Sequence, residues 1–172
     1  MDLMELIAAA GGKDSIEKMA GSLGLDQAGA ADLIGALSPA LSKGLQKQGQ
    51  ASGGLDVLQD VLKSGAHQKY LDQPDLMQTE STRDDGNKIL GHLFGDKKVS
   101  REVAAQAAQK TGLDSDLIKS ALPMIAGLAM AALSKKSTDK AESGGLGDLL
   151  GGLTGGDDGG LDDLIGLAKK LF

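Results

Sequence analysis

"VAAQAAQKTGLDSDLIKSALPMIAGLAM", Val103–Met130, is the run that settles the fold class. Val103, Ala104, Ala107, Ala108 and Thr111 recur at helical intervals, and Gly112 can close that helix in a left-handed turn. Asp114 then opens a longer helix carrying Leu117, Ile118, Ala121, Leu122, Ile125, Leu128, Ala129, Ala132 and Leu133, with Pro123 inside it. Wherever apolar spacing is clear in the rest of the chain, it is helical too. Just upstream, "NKILGHLFGDKK" (Asn87–Lys98) places Ile89, Leu90, Leu93 and Phe94 on one short face closed by Gly95. Ser100 can cap the helix that follows.

The first third of the chain repeats this order. Leu3, Leu6, Ile7 and Ala10 form a short face closed by Gly11-Gly12. Asp14, with Glu17 three residues on, has capping-box spacing for a helix bearing Ile16, Met19, Ala20 and Leu23. Gly24 can end that helix, and Asp26 can cap a longer one using Ala30, Leu33, Ile34, Leu37, Leu41 and Leu45. Pro39 lies inside it and predicts a kink, because proline removes a donor and crowds the preceding turn. Literal strings recur as well. "GLD" stands at Gly24–Asp26 and Gly112–Asp114, and "DLI" at Asp32–Ile34 and Asp116–Ile118. In both copies a proline follows seven residues after the Asp of "DLI", and the first copy has four extra residues between the strings.

The expectation is an all-α protein in which two related three-helix units pack together. Unit one covers 1–48 and unit two 84–136, inside a helical domain spanning 1–142. The connector, 49–83, is expected to hold one short helix over Leu55–Lys63 (Leu55, Leu58, Val61, Leu62), then a polar loop or short turn of helix around Pro74. Residues 143–172 form a tail in which 10 of 30 residues are Gly. It carries two amphipathic sets at helical spacing: Leu146, Leu149, Leu150 and Leu153, then Leu161, Leu164, Ile165, Ala168, Leu171 and Phe172. The second set has Asp157, Asp158, Asp162 and Asp163 at its start and Lys169 and Lys170 at its end, the order a helix dipole favours.

Composition narrows the function classes. The 172 residues include one Tyr, two Phe and no Trp, so the core must be built from Ala, Leu, Ile, Val and Met. There is no Cys, which excludes disulfides and thiolate metal sites. A formal charge of −6 repels nucleic acid and anionic membrane. The N-terminus "MDLMELIAAAGG" lacks the basic region of a secretion signal. The longest uncharged run, Ser120–Ser134, has 15 residues, short of the ~20 a membrane span needs. A cytoplasmic protein is expected.

No stretch carries a catalytic constellation. Gly86 and Gly91 have P-loop separation, but His92 and Leu93 stand where Lys and Ser/Thr are required. Placing Leu93-Phe94 over Leu6-Ile7 sets His92 over Glu5, so the same unit is built without that histidine. His67 has no second His at i+3 or i+4 to share a metal. "GGDDGG" in the tail lacks EF-hand and nonapeptide spacing for calcium. No catalytic residue, cofactor or metal is therefore expected. Ala108, Gly112 and Ile118 do follow helix-turn-helix spacing, which makes DNA binding the alternative function. Its recognition helix would, however, begin with Asp114 and Asp116 and offer Lys119 as its lone base.

"DDGNKILGHLFGDKK" (Asp84–Lys98), the opening run Val103–Met130 and the Gly-rich, Leu-bearing tail together resemble the YidB-like family of bacterial proteins, a domain of unknown function. That resemblance implies an all-helical, bacterial, cytoplasmic protein, and carries over no catalytic residues. The leading expectation is a non-enzymatic module for protein–protein interaction or self-assembly. Its interaction surface would be Leu146, Leu149, Leu150, Leu153, Leu161, Leu164, Ile165, Leu171 and Phe172, meeting a partner protein or a second copy. The tail's net charge of −3 argues against a membrane partner.

Overall fold

The computed structural model describes residues 3–54, 56, 57, 60 and 67–139. Among them there is no strand, and the protein is all-α as expected. Three helices come first: α1 (Leu3–Ala9), α2 (Lys13–Ser22) and α3 (Gln27–Gln50). A short α4 (Lys69–Asp72) and a 3-10 turn (Pro74–Gln78) lead to α5 (Glu80–Phe94), α6 (Lys97–Thr111) and α7 (Ser115–Asp139).

Glycines end the helices where their spacing predicts. Gly24, Gly95 and Gly112 sit at φ +69°, +70° and +73°, where a side chain would be strained, and each ends a helix. Asp26 caps α3 by accepting from the Gly29 amide at 2.7 Å. Asp114 accepts from the Asp116 amide at 2.7 Å at the start of α7. Two other caps differ from expectation. α2 begins at Lys13 behind Gly12, and Asp14 lies in its first turn without capping it. Gly12 is packed so tightly that a Cβ would stand 2.6 Å from Ile7 and 2.8 Å from Leu71. α6 is capped by Asp96, whose carboxylate accepts from the Lys98 amide at 2.9 Å, so Ser100 lies inside the helix. Asp96 follows the left-handed Gly95 directly and reaches the open amides first.

The connector differs in where it ends. α5 starts at Glu80, capped by Thr79, so four residues of the stretch 49–83 belong to it, and it runs on through Asp84, Asp85 and Gly86. The 3-10 turn at Pro74–Gln78 matches the short turn of helix expected there, and the stretch before α5 contributes Tyr70, Leu71 and Met77 to the core. Ser15 ties it to α2 by donating to the Tyr70 carbonyl at 2.5 Å. Thr82 does the same within the connector, donating to the Leu76 carbonyl at 2.5 Å. The expected helix over Leu55–Lys63 falls largely outside the described residues, as does the tail with its nine candidate interaction residues.

α7 is the centre of the molecule. Every residue from Ala121 to Ser134 is buried, and a helix buried on all sides is apolar all round. Ser115–Ser137 is long and apolar enough to cross a membrane, but 83% of its most apolar window is covered by other helices of the fold. α1, α5 and α6 all pack on α7, and α5 makes the most extensive contact. α3 in turn lies against α1, α2, α5 and α6. The two runs of three helices are thus interleaved: α1 rests on α7 of the second run, and α5 on α3 of the first. The relation between the two runs rests on their shared strings.

Candidate functional site

Two helix stripes, far apart in sequence, leave a groove between them. α3 contributes Ala36, Pro39, Ala40, Lys43, Gly44 and Lys47, which step along one face of a 3.6-residue helix. α6 contributes Val99, Val103, Gln106, Ala107 and Lys110, also on one face. Leu93 and Phe94, at the end of α5, close the floor. The groove encloses about 370 Å³. It exists because Ala36, Ala40, Gly44 and Ala107 are too small to fill it. Gly44 sits directly beneath Phe94, and a Cβ there would lie 3.1 Å from the ring.

The groove's chemistry is two-part. Its floor is apolar, and Val99 is 38% exposed on it, one of two large apolar side chains so exposed among the described residues. Its rim carries Lys43, Lys47 and Lys110, and no carboxylate lines it. None of the three lysines forms an ion pair among the described residues. In a chain of net charge −6, three unpaired lysines around an apolar floor are a local inversion of the overall field.

A second cleft of about 510 Å³ lies between the end of α5, the start of α6 and α7. It is lined by Asn87, Leu90, Gly91, Gly95, Asp96, Lys97, Ser100, Arg101, Lys119 and Leu122. Its cations are partly answered already. Asp96 stands among them, and Lys119 pairs with Asp116 at 2.9 Å.

The two histidines lie apart. His92 is exposed on α5 and lines neither cleft. His67 is buried, and its Nδ1 has no hydrogen-bond partner among the described residues. Its ring stands 6.1 Å from that of Tyr70, whose hydroxyl donates to Asp85. Asp85 also faces Lys69 and Lys88, each at 3.7 Å. Burial pushes the His67 imidazolium pKa down, against the opposing pull of Asp85 and with the push of Lys69. The Tyr70 hydroxyl, then the lysines, hold Asp85 below the usual carboxylate range despite its partial burial. This network joins α4 to α5 at the edge of the core, with Tyr70 buried and Lys69 and Lys88 facing solvent, and lines neither cleft. Among the described residues no three His, Asp or Glu side chains converge on a point where a metal could sit.

His67 makes stability pH-dependent in a definite sense. A folded pKa below the unfolded value means the native state binds the proton less readily. The stability it supports is present above about pH 6.5 and is lost as pH falls through its lowered folded pKa. Thermal melts from pH 7.5 to 5 should show a falling Tm in the parent protein. His67→Phe, which also removes the unpaired Nδ1, should flatten that slope. An unchanged slope would assign the pH dependence elsewhere.

Sequence reasoning placed the interaction surface on tail leucines outside the described residues, and missed the groove. The available signal was Lys43 and Lys47 at i, i+4 beside Ala36 and Ala40, together with Val99 on the side of α6 away from Ala104.

A family of bacterial proteins of unknown function, DUF937, matches the chain over residues 5–136, which covers α2 to α6 whole and most of α1 and α7. No curated relative matches the chain. No solved structure matches it either. The YidB-like resemblance of Asp84–Lys98 and Val103–Met130 points to this same family. The chain therefore belongs to the DUF937 family of bacterial proteins.

Proposed function

We propose that the protein is a non-enzymatic interaction module that receives an acidic, amphipathic helix in the groove between α3 and α6. One observation carries this reading: an open apolar floor, ringed by Lys43, Lys47 and Lys110, with no carboxylate in the lining. A helix bringing leucines at i, i+3, i+4 and i+7 would cover Val99, Val103 and Phe94, and its carboxylates would meet the lysines. DNA binding through α6 and α7 is the competing reading, favoured by the tight turn at Gly112. Against it stand Asp114 and Asp116 at the start of α7 and the engagement of Lys119 by Asp116.

Fluorescence anisotropy with a labelled synthetic acidic amphipathic helix tests the proposal. Binding should weaken as salt rises. Val99→Asp should reduce affinity about tenfold, and Lys43→Glu/Lys47→Glu by a similar factor. Because these side chains are exposed, circular dichroism should be unchanged. No binding at low salt would remove the reading, and retardation of duplex DNA that is lost in Lys119→Ala would replace it.

A further inference from the structure

The groove's chemistry has a match within the same chain. We infer that its occupant is the chain's own C-terminal segment Leu161–Phe172, docked in cis; this rests on the proposed use of the groove for an acidic amphipathic helix. The complementarity is in both apolar face and charge. Leu161, Leu164, Ile165 and Ala168 are spaced to form one helical face, sized to cover Val99, Val103 and Phe94. Asp157, Asp158, Asp162 and Asp163 concentrate four carboxylates at one end of that segment. The three rim lysines are the unpaired cations that answer them. The other tail set, Leu146–Leu153, carries one carboxylate, Asp148, and matches the rim less well.

Reach permits the docking. Residues 140–160 separate the end of α7 from the segment, and nine of these 21 are Gly. Fully extended they span roughly 70 Å, and as a flexible coil about 25 Å. Asp139 lies about 24 Å along α7 from Pro123, at a rise of ~1.5 Å per residue. Pro123 touches Gly86, and Phe94 is about 12 Å further along α5. The path is at most about 36 Å along the two helices, longer than the coil but about half the extended length, so the tether reaches the groove. It holds the segment at an effective concentration on the order of 1 mM, so even a weak intrinsic affinity fills the site. The groove is self-covered, and an outside acidic helix must compete for it.

Two measurements on the full chain test this. The first repeats the anisotropy titration with Leu164→Asp/Ile165→Asp, which spoils the segment's apolar face. The probe should bind about tenfold more tightly than to the parent, because the internal competitor is gone. Equal binding to both proteins overturns the cis occupant and leaves the groove reading standing. Binding to neither removes the groove reading itself. The second is carbodiimide cross-linking of a mixture of light and 15N-labelled chains. Links from Lys43, Lys47 or Lys110 to Asp157, Asp158, Asp162 or Asp163, within chains of one isotope, are expected. Mixed-isotope links would make a second copy the occupant and overturn the cis assignment. Absence of any such link would overturn it too.

Discussion

Gly86→Ala should destabilise the fold by about 3 kcal/mol and lower Tm by roughly 6 to 12 °C. The cause is the crossing of α5 over α7. A Cβ on Gly86 would stand 2.0 Å from the carbonyl oxygen of Pro123 and 2.7 Å from its Cα. Those atoms are backbone inside a helix and cannot rotate away. The two helices would have to separate, and with them the most extensive helix contact in the molecule. Helix propensity works in the opposite direction, since Ala is favoured over Gly by about 1 kcal/mol in a helix interior. Steric overlap wins because it strains many packed neighbours at once. Gly91→Ala provides the control. It lies five residues on in α5 with nothing within 4 Å of its Cβ position, so it should gain up to about 1 kcal/mol. Urea unfolding followed by circular dichroism reads both. Equal midpoints for the two variants would mean that the crossing is looser than described.

Tyr70 anchors the connector to the central helix, and its removal should cost at least as much. Its ring is 1% exposed and lies 3.7 Å from the Cβ position of Gly127 on α7. Tyr70→Ala should cost about 4 kcal/mol through lost burial and the cavity left behind. Tyr70→Phe keeps the ring and should cost about 1–2 kcal/mol, the share of the hydrogen bond to Asp85. The phenol supplies its own readout. Burial first, then the Asp85 hydrogen bond and charge, push its pKa well above 10. A raised folded pKa means stability that is complete below about pH 10 and lost as pH rises further. This is the only Tyr in a chain without Trp, so ultraviolet absorbance reports it without interference. Phenolate absorbance should stay absent at pH 10 and emerge together with the loss of helical signal. A simple titration centred near pH 10 would show the ring to be solvated.

What could be read in the sequence divides along a physical line. Long periodic helices and their glycine stops were legible because both are local. Leu33, Ile34, Leu37 and Leu41 declare the buried face of α3 by spacing alone, and Gly112 declares a stop. The connector was not legible. Tyr70-Leu71 and Leu76-Met77 are isolated pairs among polar residues, packed against α2 and α7, and no helical or strand period reveals them. The start of α5 was hidden for the same reason: Asp84, Asp85 and Gly86 break the apolar period, while Gly86 packs directly on Pro123 of α7. The groove was the least legible of all. It is a space defined by small residues on α3 and α6, whose adjacency only the tertiary fold supplies.

The interleaving of the two helical runs bears on how the chain comes into being. α1 finds its partner in α7, and Lys135 donates to the carbonyl of Ala10 across 125 positions of sequence. Contacts so distant along the chain close late, because loop entropy must be overcome before they form. At ~5–20 residues per second on the ribosome, the apolar face of Leu3, Leu6 and Ile7 waits ~6 to 25 seconds for α7 to emerge. The nascent N-terminal half therefore passes through a stage with an unfinished core. That stage, rather than the finished fold, is where its solubility is most exposed to a lapse in chaperone cover.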